Sequence, residues 1–101
     1  TYRTIKSDPI LADNDFEMHL NDLGYFWLRN LSNTDKAIVV FELNTREFPN
    51  SSNVFDSLAE AYAKKGYIAQ AIQHYQKAIE MSDDDWYINR TKIIVNQLRN
   101  E

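Results

Sequence analysis

Three consecutive carboxylates, Asp83-Asp84-Asp85, and two histidines, His19 and His74, have the widest chemical repertoire in this chain. Adjacent acids could attract a cation. Cation loops, however, space their carboxylates at alternate positions around a turn glycine and close on a distal Glu, and that pattern is missing. At the start of a helical stretch, three acids are accounted for by N-capping and by the positive end of the helix dipole. Each histidine falls within a helical stretch, with no second His at helical spacing and no Cys to complete a dyad. Nucleophile elbows, phosphate loops and H-E-x-x-H strings are also missing. The residue types and spacings therefore predict no catalytic group, no cofactor and no metal, and both histidines are expected on the surface.

The composition narrows the class further. The chain has 101 residues, enough for one small domain, and its 44% apolar content is that of a folded globular chain. Two Gly and two Pro leave few tight turns and favour helices over short strands. Fifteen acidic against eleven basic residues give a net charge of −4, which argues against a phosphate-neutralising surface and so against nucleic acid. No apolar run reaches the roughly 18–20 residues that would span a bilayer. The chain opens at Thr1, as a trimmed chain or a domain of a longer protein would.

The elements are read from periodicity. Residues 1–12 keep no sustained period and are expected to form an arm or linker, with a turn at Ser7-Asp8-Pro9. The first helix opens near Asp13-Asn14, where Asn14 and Glu17 have the spacing of a capping box. Leu20, Leu23, Gly24, Trp27, Leu28 and Leu31 then follow at steps of three and four, which is one helix face. Ser32-Asn33-Thr34-Asp35 ends that helix and caps the next, which carries Ala37, Ile38, Phe41 and Phe48 until Pro49 stops it. Phe55, Leu58, Ala59 and Tyr62 mark a third helix, Gly66 a turn, and Ala71, Tyr75 and Ala78 a fourth. A fifth runs from Trp86 to Leu98 with Ile88, Ile94, Val95 and Leu98, and ends in polar residues.

The two hairpins match. Leu20-x2-Leu23-Gly24-x2-Trp27 corresponds to Phe55-x2-Leu58-Ala59-x2-Tyr62, and Ala37-x3-Phe41 corresponds to Ala71-x3-Tyr75. Between the A-helix Leu and the B-helix Ala the first copy is one residue longer, and the extra residue is expected in the Asn30 to Thr34 turn, where insertions cost least. Asn44 stands where the pattern usually has Ala, so looser packing is expected there. The pattern resembles the tetratricopeptide repeat, whose aromatic-x2-Leu-Gly-x2-Tyr…Ala-x3-Phe signature both hairpins follow. The resemblance implies an all-α, right-handed α-solenoid of two helical hairpins plus a C-terminal capping helix, about five helices in all. The expected domain covers residues 13–101, with repeat one at about 17–51, repeat two at about 52–85 and the capping helix at about 85–100. Trp27, Phe41, Phe55, Tyr62 and Tyr75 fall on signature positions and are assigned to packing.

The same resemblance implies a non-catalytic module that binds a protein or peptide through its A helices. Met18, Asn21, Tyr25, Asn53, Asp56, Glu60, Tyr87, Arg90 and Ile94 match the family's groove-facing positions and form the candidate partner-binding set. Members that clamp a C-terminal carboxylate use Lys, Asn and Arg in the groove. Here Asn21, Tyr25, Ser57, Tyr87 and Thr91 stand at those places, and Asp56 and Glu60 would repel a carboxylate. Two hairpins are fewer than the roughly three repeats usual for independent stability. A cover is therefore expected over Phe16, Leu28 and Leu31: the arm (Tyr2, Ile5, Ile10 and Leu11), an upstream domain of the same protein, or a second copy in a homodimer.

A second resemblance concerns residues 20–80. Leu43-Asn44, Phe48-Pro49, Ser52-Asn53, Phe55-Asp56-Ser57-Leu58 and Glu60-Ala61-Tyr62 look like the repeat pair that follows the catalytic domain in some bacterial serine hydrolases. Ala59 replaces a Gly of that tail and Phe55 a Tyr. The enzymes' catalytic motifs lie outside this sequence, so the resemblance implies an accessory C-terminal domain and no active site here.

Overall fold

The computed structural model describes residues 13–100, with side chains from residue 16 onward. The expected arm at residues 1–12 lies outside the described residues. Five α-helices follow one another: α1 (Asp13–Tyr25), α2 (Thr34–Glu47), α3 (Ser52–Lys65), α4 (Ile68–Met81) and α5 (Asp85–Arg99). Each packs on its neighbour in the chain, and α1 also touches α3. This is the all-helical solenoid order of two hairpins and a further helix. No described helix is long and apolar enough to cross a membrane.

The caps follow local chemistry. The Asn33 side chain accepts from Lys36 N at 3.1 Å and opens α2. One Asp84 oxygen accepts from Trp86 N at 3.0 Å and Tyr87 N at 3.3 Å, so the acidic run serves to start α5. The Glu17 carboxylate accepts from Ser51 Oγ at 3.0 Å and ties α1 to the turn before α3.

The extra residue of the first hairpin is taken up inside the helix. Phe26–Asn30 forms a π-helical turn, closed by Leu31 N donating to Phe26 O at 3.3 Å. Asn33 N then reaches back to Trp27 O at 2.8 Å, whereas in the second hairpin Tyr67 N bonds Tyr62 O at 2.9 Å with one residue fewer between them. The widened loop lets both turns end alike. Ser32 (φ 50°) occupies the left-handed position that Gly66 (φ 90°) fills in the second hairpin.

That difference predicts opposite effects. Gly66→Ala is expected to cost about 1–2 kcal/mol, because an added Cβ meets nothing within 4 Å and only the backbone conformation resists it. Ser32→Gly is expected to gain a few tenths to about 1 kcal/mol. Urea unfolding midpoints of the two variants test the pair.

The core is continuous along the stack. Leu28, Ala37, Ile38, Phe41, Leu58 and Ala61 form one cluster, which joins the first hairpin to α3. Ala59, Tyr75 and Val95 form the next, joining α3, α4 and α5. The signature alanines at 37, 59, 71 and 78 are all fully buried, as close helix crossing requires. Asn44 is fully buried as well, and its Nδ2 donates to Glu17 O at 3.1 Å. The polar residue at an alanine position is thus used as a tie to α1, where looser packing was expected.

Of the three residues expected to meet a cover, Phe16 and Leu28 are buried and Leu31 is exposed. Phe16 (7% exposed) meets Phe48 edge to face at 6.3 Å, and Leu28 (4% exposed) sits in the first cluster. Leu31 remains half exposed, and Leu23 and Phe26 share that condition. On α5, the face carrying Thr91 and Val95 is buried, while Lys92, Asn96 and Ile93 are exposed where α3 has Leu58, Tyr62 and Ala59. Lys92 and Asn96 solvate the side of α5 that a B helix would otherwise cover, as befits a capping helix.

Candidate functional site

Helices α1, α3 and α5 share one face, and a polar and aromatic network runs across it. Asn21, Tyr25 and Arg29 come from α1 and its π turn, Asp56, Ser57 and Glu60 from α3, and Tyr87 and Arg90 from α5. Their spacing of three and four residues in each helix places them in line. Tyr25 Oη donates to Glu60 Oε1 at 3.1 Å, Ser57 Oγ donates to Asn21 Oδ1, and Tyr87 Oη donates to Asp56 Oδ1 at 2.8 Å. Arg29 adds a 3.4 Å ion pair with Glu60 and lies 4.3 Å from the centre of the Tyr25 ring. As an exposed pair, Arg29 and Glu60 contribute at most about 1 kcal/mol to stability.

Of the nine candidate residues, Asn21, Tyr25, Asp56, Glu60 and Tyr87 are therefore joined by hydrogen bonds to this face. Arg90 lies within electrostatic reach of Asp56. Its guanidinium sits 5.8 Å from the Trp86 ring centre. Met18 and Asn53 are exposed, with no contact to this network. Ile94 packs against the cluster of Ala59, Tyr75 and Val95 and, half-buried, also lines a surface depression with Trp86, Asn89 and Arg90. Two members escaped the sequence reading. Arg29 continues the register of Tyr25 by four residues, which is a signal the sequence did carry. Tyr75 sits on α4 at a packing position, and nothing in its spacing indicates that its hydroxyl lies within the field of Asp56, Glu60 and Tyr25.

Burial sets the electrostatics. Desolvation pushes Tyr25 up to about 12, against a hydrogen bond with Ser57 and with the help of Glu60. Desolvation and then the negative charge of Asp56 hold Tyr75 and Tyr87 well above the usual tyrosine range. All three hydroxyls stay protonated at neutral pH. Asp56 is raised as well, by burial first, although the Tyr87 hydroxyl and the charge of Arg90 oppose the shift and Glu60 adds to it.

The sign of that last shift gives a prediction. A carboxyl raised in the folded state binds its proton more tightly there than in the unfolded chain. Its contribution to stability is therefore greatest below the ordinary carboxylate range and falls as pH rises through the raised value. Asp56→Asn, which keeps an acceptor for Tyr87, is expected to raise Tm at pH 7 and to leave it unchanged at pH 3. An equal or lower Tm at pH 7 would contradict the assignment.

The histidines stand apart from this face. His19 is exposed. His74 is half-buried, with its ring 5.1 Å from that of Tyr62 and stacked at 6.3 Å on Phe55, and with Nδ1 2.8 Å from Gln70 O. That contact assigns the proton to Nδ1 and makes His74 a packing residue on the A–B hairpin.

No protein-family model matches the chain. The chain is 37% identical over 73 residues to Superkiller protein 3 of Schizosaccharomyces pombe, a protein that contains tetratricopeptide repeats. The likeness supports a tetratricopeptide-like helical repeat. It covers 72% of this chain, and the chain spans only 5% of that relative's length. Of the two signature sets, Ala37, Phe41 and Leu58 lie in the first core cluster and Ala59 and Tyr75 in the second.

Proposed function

We propose that this chain is a non-catalytic docking module that holds a protein or peptide partner against the shared face of α1, α3 and α5. The observation that carries the reading is the network itself. Tyr25, Asp56, Glu60 and Tyr87 are partly buried polar groups on three helices, and they point to one surface instead of into the cores. Burying polar groups costs free energy unless they are paired, so a face that keeps several of them half-desolvated favours recognition over stability. The likeness to a repeat-containing protein supports the same class.

Position-specific photo-crosslinking tests this reading. A benzophenone side chain is placed at Asn53 or Arg90, on the proposed face, or at Gln73, which is exposed on α4. Crosslinks from the first two positions to one mapped partner segment, with none from Gln73, are expected. Equal labelling from all three positions would discard the face.

A second reading rests on the string Leu43 to Tyr62. It makes the module the C-terminal accessory part of a bacterial hydrolase, with the half-exposed Leu23, Phe26 and Leu31 against the upstream domain. A native gene product with no serine-hydrolase motif before Thr1 would remove it. Self-association over the same residues is the remaining alternative. Light scattering that returned 11.9 kDa at high micromolar concentration would dismiss it.

A further inference from the structure

We propose that the outward side of α5 is a self-association surface, on which a second copy of this chain packs its own α5 antiparallel about a two-fold axis. The inference does not rest on the docking reading. Arg90 and Ile94 border both surfaces, and the variants below leave them in place.

Helix α5 is apolar on two opposite sides. Thr91 and Val95 are buried against the second hairpin, with Leu98 half-buried beside them. On the other side stand Trp86 and Ile93, two turns apart and therefore in line. They are 72% and 59% exposed, and Trp86 is the most exposed large apolar side chain among the described residues. A single exposed apolar residue is ordinary. These two, however, frame an open depression of about 420 Å³ that Asn89, Arg90 and Ile94 complete. The capping side of α5, with Lys92 and Asn96, is polar, so the apolar pair sits where solvation alone does not ask for it.

Shape and charge name the occupant. The patch carries a projecting indole and, beside it, a hollow that an indole can enter. In an antiparallel pair whose axis passes between Asn89 and Arg90, Trp86 of each copy lies opposite Ile93 of the other. Both indoles are then seated at once, which is what an isologous contact demands. Each Arg90 guanidinium reaches toward its own Trp86, 5.8 Å from the ring centre, and so away from the axis and from its counterpart.

The charges follow the same direction. Asp83, Asp84 and Asp85 stand at the start of α5, and Arg90, Lys92 and Arg99 come after them. A parallel pair would set like charges side by side. The antiparallel pair sets the three carboxylates of one copy along the stretch between Lys92 and Arg99 of the other. A wholly acidic partner would meet Asp83–Asp85, and a wholly basic one would meet the three cations. A second α5 brings both signs in matching order.

The contact is small. A helix of 15 residues is about 22 Å long, so one of its sides covers less than the roughly 800 Å² per partner of a standard interface. Dissociation is therefore expected on the order of 100 µM.

The chain has no cysteine, so one introduced thiol reports cleanly on the axis. Asn89→Cys is expected to oxidise to a covalent dimer, because a two-fold axis brings a residue beside it against its own copy. Gln73→Cys, exposed on α4, should stay monomeric under the same conditions. In sedimentation equilibrium, the parent chain should rise from 11.9 kDa toward a limit of twice that mass. Trp86→Ala should weaken association at least about tenfold, as expected of a central tryptophan, while keeping the thermal midpoint. Leu23→Ser, at the far end of the stack, should leave association unchanged. A mass of 11.9 kDa at every concentration up to about 1 mM would overturn the proposal. Growth beyond the dimer that Leu23→Ser abolishes would replace it with head-to-tail stacking through α1. Equal oxidation of the Asn89→Cys and Gln73→Cys variants would also refute it. None of these outcomes depends on crosslinks from Asn53 to a partner, which judge the docking face separately.

Discussion

Gly24→Ala is expected to destabilise the fold by about 1–3 kcal/mol, the usual cost of forcing extra volume into a packed core. A Cβ built on Gly24 would stand 2.6 Å from Phe41 Cδ1 and Cζ, and closer still to Cε1. The ring cannot swing away. Phe41 is fully buried, and the Tyr25 ring meets it edge on at 5.0 Å. A second experiment separates this contact from helix propensity, which on its own would make alanine the better residue. In a Phe41→Leu background the added methyl has room, so the cost of Gly24→Ala should fall by more than about 1 kcal/mol relative to its cost in the parent chain. Phe41→Leu alone should be mildly destabilising. Equal costs in both backgrounds, measured by urea unfolding, would mean that the ring does not oppose the methyl.

The equivalent contact in the second repeat explains why this was only half visible in the sequence. Ala59 there lies in one cluster with Tyr75 and is fully buried, so alanine fits at that crossing. The small-residue rule could be read from Gly24 and Ala59 alike, because helices that cross closely need small residues whatever the partner ring does. Which of the two positions would tolerate a methyl depends on ring orientation, and spacing says nothing about that.

The same division holds elsewhere. The five helices and their order were legible, since apolar steps of three and four with caps at Asn33 and Asp84 are local signals. The π turn was not. One inserted residue leaves the leucines at 28 and 31 compatible with an ordinary helix, and the sequence marks the following turn with Ser32 where a glycine would have announced it. Phe16 and Leu28 were expected beneath a cover because pattern assigns faces; among the described residues Phe48 meets the first edge to face and the first cluster takes in the second. At the candidate site, the resemblance to the repeat brought out Asn21, Tyr25, Asp56, Glu60 and Tyr87. Arg29 needed that register continued into the π turn, and Tyr75 needed the direction of a side chain on a different helix.

Val95→Asp is expected to cost more than about 3 kcal/mol, because it buries a charge with no partner in an apolar contact. Val95 is 4% exposed and joins Ala59 and Tyr75, the contact that holds α5 on the second hairpin. Val95→Ala, which only removes apolar area, should cost about 1–2 kcal/mol. The consequence for the docking face is larger than for the fold. α5 packs chiefly on α4, whereas α1, α2 and α3 share their own cluster, so the loss should be local. In Val95→Asp, amides of α5 should exchange rapidly with solvent while those of α2 remain protected. Undocking α5 carries Tyr87 away from Asp56, so the face shared by α1, α3 and α5 should lose that hydrogen bond even though the first hairpin stays folded. Uniform loss of protection across α1 to α5 would show that the helices unfold as one unit. Unchanged protection in α5 would show that Val95 is not what holds it.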